Sequence, residues 1–77
     1  MSETVLDVRE VPPAERHPKI HAAFDDLAAG EALTIVNDHE PKPLFYEFQA
    51  ERADFDAENY AVERAAPGEF RAVFPKK

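Results

Sequence analysis

The spacing of hydrophobic residues alternates between the period of a strand and that of a helix, which restricts the chain to a small group of folds. Side chains in residues 4–8 divide between two faces and predict a first strand. Residues 10–17 contain two adjacent prolines and predict an ordered loop. Ile20, Phe24 and Leu27 then follow at the spacing of one helical face. The chain is therefore predicted to begin with a strand, a loop and a helix.

Prolines and glycines predict where the next elements begin and end. Pro18 suits the first position of the helix, where its missing N–H would have no partner, and Gly30 supplies the stop. Residues 31–37 follow as a second strand, apolar on both faces, which indicates an interior position in a sheet. Two further prolines precede a second helix over residues 43–53. The apolar side of this helix is predicted to carry Leu44, Phe48 and Phe55.

Two short alternating segments end the chain. Tyr60 and Val62 share one face of the first segment, and Phe70 and Phe74 share one face of the second. Residues 66–69 read Ala-Pro-Gly-Glu, with proline and glycine in the positions that a type II turn requires. The two segments therefore predict an antiparallel hairpin.

The predicted order of elements is strand, helix, strand, helix, strand, strand. A strand-helix-strand crossover makes the first two strands parallel, and the hairpin adds antiparallel strands. We therefore expect an α+β fold: a two-layer α/β sandwich with a mixed four-stranded sheet, both helices on one face, and a single domain over residues 1–77. The expected core consists of Leu6, Val8, Ile20, Phe24, Leu27, Leu33, Ile35, Leu44, Phe48, Tyr60, Val62, Phe70 and Phe74.

Composition excludes several kinds of function. The chain has no cysteine, which rules out disulfides, thiolate metal sites and a cysteine nucleophile. Sixteen acidic against nine basic residues give a net charge of −7, which opposes binding to nucleic acid and to anionic membranes. No apolar segment is long enough for a signal peptide or a membrane span. We expect a cytoplasmic monomer without a cofactor, acting on a protein partner whose identity the sequence leaves open.

The carboxyl ends of the two parallel strands and the starts of both helices are expected at one edge of the sheet. Helix starts offer unpaired N–H groups and a partial positive charge, so this edge is a candidate for protein interaction or anion binding. In the alternative interpretation, Arg9 and Arg16 pair with nearby acids and only order the proline loop. The candidate edge comprises Arg9, Arg16, His17, His21, Asn37, Asp38, His39 and Lys42.

The histidines allow a second hypothesis, a metal-binding or metal-delivery module. His17 and His21 are four residues apart across the predicted helix start, and His39 follows Asp38 in the facing loop. Three imidazoles and a carboxylate suit zinc or a similar ion. In the alternative interpretation, His17 packs against the helix start, His21 lies near the rim and His39 is a solvated loop residue.

A catalytic role is not expected. Carboxylates are so numerous that one close to a histidine is expected by chance, and Thr34, the hydroxyl nearest the centre of the chain, lies within a strand. The acidic excess allows two interpretations: a recognition surface for a basic partner, or a solvated coat. The coat is the preferred one and looks like a halophilic adaptation, in which dense carboxylates keep a protein soluble in a salt-rich cytoplasm.

Five short segments of the sequence, taken together, resemble those of a known protein family. They are Leu6-Asp7-Val8-Arg9, Pro12-Pro13, Arg16-His17-Pro18, Asn37-Asp38-His39 and Pro41-Lys42-Pro43-Leu44. Together they resemble an uncharacterised domain-of-unknown-function family of the TusA-like (SirA-like) fold group. The resemblance covers residues 5–74 and implies the same two-layer sandwich that the hydrophobic periods predict.

This resemblance also implies a limit on function. The sulfur carriers of that fold group hold a persulfide on the cysteine of a Cys-Pro-x-Pro motif at the first helix start. Here residues 11–14 read Val-Pro-Pro-Ala, so persulfide transfer by that route is excluded and docking to another protein is the role still implied. Members of the similar family occur beside hemerythrin-like domains or iron-sulfur assembly proteins, which implies a partner in redox or metal handling.

Overall fold

The computed structural model describes residues 4–77, which form one mixed sheet of four strands with two α-helices. A short 3₁₀ helix, Ala57–Asn59, precedes the terminal hairpin and was not predicted. The other elements follow the predicted order. They are β1 (Thr4–Asp7), α1 (Pro13–Asp25), β2 (Ala32–Asn37), α2 (Lys42–Glu51), β3 (Ala61–Ala66) and β4 (Glu69–Pro75).

The sheet has the strand order β1-β2-β4-β3. β1 is parallel to β2, and both β2–β4 and β3–β4 are antiparallel, so the predicted α+β fold with a mixed sheet is confirmed. β2 lies in the interior, as its two apolar faces predicted. Gly68 in the turn between β3 and β4 has a φ of 75°, the left-handed value that the third position of a type II turn requires.

Helix α1 begins at Pro13, and the prediction that Pro18 opens it is wrong, because Pro18 lies inside the helix. The backbone of Pro12 is extended, and its carbonyl accepts the Glu15 N–H at 2.8 Å. Pro13 therefore occupies the first helical position itself, where a proline costs nothing. Pro18 removes one hydrogen bond further along, and the burial of Ile20 in the following turn helps to hold the helix together across that gap.

Both helices end earlier than predicted: α1 at Asp25 and α2 at Glu51. Gly30, predicted as the helix stop, instead takes a φ of 86° in the turn that leads into β2. Phe55, predicted on α2, lies beyond it and is buried because a bridge to Lys76 draws it against the sheet. Within residues 4–77, neither helix has the length and apolar character to cross a membrane.

One hydrophobic core lies between the sheet and the helices. The Phe48 ring packs edge-on against Phe24 at 5.1 Å and against Phe74 at 5.0 Å. Phe70 was expected in this core but is only half-buried, since it pairs with Asn37 at the end of the sheet. Also half-buried, at the margin of the core, are Leu6, Tyr60 and Val62. The core consists of Val8, Ile20, Phe24, Leu27, Leu33, Ile35, Leu44, Phe48, Phe55, Ala72 and Phe74.

Candidate functional site

The two proline-bearing connections, β1 to α1 and β2 to α2, meet at one edge of the sheet, as the order of elements predicted. Between the two helix starts lies a cleft of about 110 Å³. Sites for small molecules usually measure about 300–1,000 Å³, so this cleft has room for a single side chain and not for a cofactor. We term it the proline cleft. It is lined by Pro13, Arg16, His17, Ile20, Asn37, His39, Pro41, Pro43 and Leu44.

Arg16 ties the two connections together. Its Nε donates to the Val11 carbonyl at 2.8 Å and its Nη2 to the Arg9 carbonyl at 3.1 Å. Its Nη1 donates to Asn37 Oδ1 at 3.1 Å and lies 3.4 Å from Asp38 Oδ1. Each of the three guanidinium nitrogens therefore already has an acceptor within the chain. Arg16 orders the edge and offers little to an external anion.

The other two cations of the predicted edge are also paired. Arg9 contacts Asp7 through two parallel hydrogen bonds, Nε to Oδ1 at 3.0 Å and Nη2 to Oδ2 at 2.7 Å. This pairing lowers the pKa of the Asp7 carboxyl and raises the pKa of Arg9. Lys42 Nζ lies 3.7 Å from Glu40 Oε2. These contacts agree with the alternative interpretation, in which the cations of the edge pair with nearby acids. They leave little unpaired positive charge to bind an anion.

His39 is held by the residue before it. Its Nδ1 lies 2.6 Å from Asp38 Oδ1, and this hydrogen bond is the main reason that the pKa of Asp38 is lowered, with a smaller contribution from Arg16. A carboxylate can only accept, so Nδ1 carries the hydrogen of this bond. The other ring nitrogen, Nε2, makes no hydrogen bond within residues 4–77.

His17 and His21 share one carboxylate of α2. Glu47 Oε2 lies 2.8 Å from His21 Nε2 and 3.4 Å from His17 Nδ1, and the hydrogen bond from His21 is the main cause of the lowered pKa of Glu47. The His21 ring stacks on Phe48 at 4.3 Å, and its Nδ1 accepts from Arg52 Nη1 at 3.1 Å. Both nitrogens of His21 are thus committed between the helices, and His21 does not line the cleft.

The predicted metal set of His17, His21 and His39 does not assemble. His17 and His39 line the proline cleft, whereas His21 is turned into the groove between α1 and α2. In the part of the chain that the structure describes, no group of three or more histidine, aspartate or glutamate side chains is placed to hold a metal ion. The expectation that the edge gathers all three imidazoles is therefore wrong for one of them.

Sequence reasoning did not single out Glu47, the shared partner of His17 and His21. One signal was available: Glu47 follows the buried Leu44 by three residues, so both fall on the same side of a helix. Nor did sequence reasoning single out Arg52, which binds His21 and Asp25.

The fold and this edge together define a small α+β sandwich with a narrow cleft flanked by two carboxylate-bound histidines. Residues 5–76 match a family described as Uncharacterized conserved protein (DUF2249). The chain belongs to this family. Comparison with curated proteins and with solved structures gives no significant match.

Proposed function

We propose that this chain is a small accessory module that binds another protein through the proline cleft and catalyses no reaction itself. The observation that carries the proposal is the cleft between the two connections, with walls that Arg16 ties together. A surface concavity with room for one side chain is the kind of pocket in which a protein interface seats an anchor residue.

The rigidity of the edge supports this proposal. Three of the residues that line the cleft are prolines, whose φ angle is fixed before any partner arrives. Arg16 adds hydrogen bonds to Val11 and Arg9 on one connection and to Asn37 on the other. A preorganised surface loses little conformational entropy on binding, so a larger share of the contact energy becomes affinity.

The lining of the cleft also supports a role without catalysis. Its described residues include two histidines but no serine, threonine, cysteine or lysine that an imidazole could activate as a nucleophile. The cleft, at about 110 Å³, is also small beside the roughly 300–1,000 Å³ of most sites that hold a small-molecule substrate.

We further propose that the chain is a cysteine-free relative of the TusA-like sulfur carriers. The order of elements supports this, as does the position of Pro12 and Pro13 at the start of α1, where the carriers resembled have their Cys-Pro-x-Pro motif. On this view the docking surface is kept while the thiol is absent, and the partner is a cytoplasmic redox, iron-sulfur or metal-handling protein.

Site-specific photocrosslinking in the source cells tests the proposal. A photoreactive residue is placed at Lys42, which is exposed beside the cleft, and in a matched control at Gln49, which is exposed further along the same helix. We expect a defined adduct from position 42 and none from position 49. The adduct should disappear when His17→Trp blocks the cleft, in a variant whose thermal melting shows that it still folds. Adducts from position 49 alone, or an adduct at position 42 that His17→Trp leaves unchanged, would contradict the proposal.

A further inference from the structure

One histidine of the proline cleft has a defined tautomer when it is neutral. His39 Nδ1 donates to Asp38 Oδ1 at 2.6 Å, whereas His17 Nδ1 lies 3.4 Å from Glu47 Oε2. With the Nδ1 hydrogen directed at Asp38, Nε2 of the neutral His39 ring is a lone-pair acceptor. This Nε2 has no hydrogen-bond partner within residues 4–77. The cleft therefore carries an acceptor that the chain itself leaves unused.

The depth of the cleft is apolar and its rim is polar. Ile20 and Leu44 are 1% and 2% exposed, whereas the side chains of His17 and His39 are 44% and 63% exposed. A side chain that enters the cleft therefore contacts aliphatic carbon at the bottom and imidazole at the mouth. Aliphatic carbon suits the bottom, and hydrogen-bond donors suit the mouth.

The charge around the mouth favours a cationic donor over an anion. Behind the two imidazoles stand the carboxylates of Asp38 and Glu47, both of which have a lowered pKa and so stay ionised. The guanidinium of Arg16 is spent on internal acceptors, and Lys42 is paired with Glu40. The chain as a whole carries a net charge of −7, which attracts a positive segment from a distance.

The helix starts do not reverse this preference. A helix start binds an anion through its free N–H groups. Pro13 and Pro43 have no N–H to offer, and the N–H groups of Glu15 and Lys42 already donate to the carbonyls of Pro12 and Glu40, at 2.8 and 2.9 Å. These contacts remove much of the anion-binding capacity of both helices.

We propose that the proline cleft receives an aliphatic side chain of the partner, and that a cationic side chain next to it in the partner sequence donates to Nε2 of His39. The inference rests on the proposed function and specifies the partner segment as an aliphatic residue beside a lysine or arginine. The aliphatic anchor packs on Ile20 and Leu44, and the cation lies at the mouth of the cleft.

A set of capped dipeptides tests this chemistry with the intact chain, at about pH 8, above the range in which histidines usually titrate. The probe acetyl-Leu-Lys-amide is compared with three matched peptides, in which lysine is replaced by norleucine or glutamate, or leucine by alanine. Binding is followed by the chemical shifts of the imidazole nitrogens and of the backbone amides. Peptides of this size should bind with a Kd on the order of 1 mM.

We expect the Leu-Lys peptide to bind about tenfold more tightly than each matched peptide, since each lacks one of the two contacts. The variant His39→Phe keeps a ring at the mouth but removes the acceptor, so the advantage of lysine over norleucine should shrink while leucine still binds. Equal affinity for norleucine and lysine in the unmodified chain would overturn the proposal. So would tighter binding of the glutamate peptide, which would instead indicate an anion site.

The outcomes separate this inference from the proposed function. If no dipeptide shifts the resonances of the cleft but the photocrosslink at position 42 still depends on His17, the chain binds a partner there and the aliphatic-cation inference is wrong. If the Leu-Lys peptide binds as expected but no crosslink forms in cells, the cleft chemistry stands and the proposed docking function fails.

Discussion

Two arginines hold the opposite ends of the helical layer, and they do so with different partners. Arg16, at the helix starts, is 11% exposed and donates to the backbone carbonyls of Val11 and Arg9 and to the amide of Asn37. Arg52, just beyond α2, is 16% exposed and binds carboxylates instead. The partners of Arg52 are Asp25 and Asp54, and its guanidinium also lies over the rings of Phe24 and Phe48, 4.8 and 5.5 Å from their centroids.

This difference decides what each end leaves for other molecules. Arg16 uses mainly neutral acceptors and shares the Asp38 carboxylate with His39, whose Nε2 has no hydrogen-bond partner within residues 4–77. Arg52 takes up the carboxylates at its end and also donates to His21, whose other nitrogen is bound to Glu47. The polar groups at the Arg52 end thus have partners within the chain, whereas the Arg16 end leaves one acceptor, His39 Nε2, unused.

The largest expected effect comes from the aromatic cluster beneath Arg52. Phe48 is 0% exposed and contacts Phe24, Phe55 and Phe74, so Phe48→Ala should lower the free energy of unfolding by about 3–5 kcal/mol, measured by urea denaturation. Ile20→Val, at the floor of the cleft, removes only one methyl group and should cost about 0.5–1.5 kcal/mol. A loss after Phe48→Ala that is no larger than the loss after Ile20→Val would contradict the central position of Phe48 in the core.

A smaller but more selective effect is expected from the two arginines themselves. Arg16→Met leaves the carbonyls of Arg9 and Val11 and the Asn37 oxygen without this donor, and should cost about 2 kcal/mol of unfolding free energy.

Arg52→Met is the control for that change. The methionine keeps an apolar stem over the core, and the carboxylates of Asp25 and Asp54 are exposed enough to be hydrated, so we expect a loss of about 1 kcal/mol. Urea denaturation of both variants decides the order. If Arg52→Met were the costlier change, charge pairing and not satisfaction of backbone carbonyls would dominate the helical layer.

The order of elements could be predicted from the sequence because strand and helix periods depend on local spacing, and the mixed sheet followed from the chain order. The ends of the helices could not be predicted in this way. The two prolines at positions 13 and 18 both suit a first helical position, and only the extended backbone of Pro12 and its hydrogen bond to Glu15 select the earlier one. Phe55 was placed on α2 because its spacing fits that helix. The bridge that buries it instead joins it to Lys76, which is far away in sequence, and local spacing cannot predict such a contact.

The candidate site was predictable as a place but not as a set of contacts. Parallel strands direct both connections to one edge, so the meeting of Arg16 with Asn37 followed from topology. The direction of His21 did not follow, because both His17 and His21 lie within α1, and the carboxylate that they face, Glu47, belongs to the other helix.

Acid should weaken the Arg52 end through Asp54. The hydrogen bond from Arg52 is the main cause that lowers the pKa of Asp54 in the folded protein, while burial opposes it. A folded-state pKa below the unfolded one adds stability at pH values above about 4, and this contribution disappears as the pH falls through the folded-state pKa. Asp54→Asn should therefore flatten the fall in melting temperature between about pH 5 and pH 2.

The exposed Asp26, at the end of α1, supplies the control. Asp26 makes no ion pair within residues 4–77, so Asp26→Asn should leave the acid limb of the melting curve close to that of the unmodified chain. Equal flattening by both substitutions would mean that the acid sensitivity comes from net charge and not from the Asp54 pair.

The smallest effect is expected from salt, and it tests whether the acidic coat is an adaptation to a salt-rich cytoplasm. Repulsion among the exposed carboxylates destabilises a compact chain of net charge −7, and screening relieves it as the Debye length falls from about 10 Å at 0.1 M to about 3 Å at 1 M salt. The melting temperature should therefore rise by a few degrees over this range. Glu51→Lys combined with Glu58→Lys, both exposed positions, should reduce that rise. If desalting leaves the cooperative transition and its midpoint unchanged, the coat is not a salt adaptation, and a recognition surface for a basic partner becomes the better explanation of the charge.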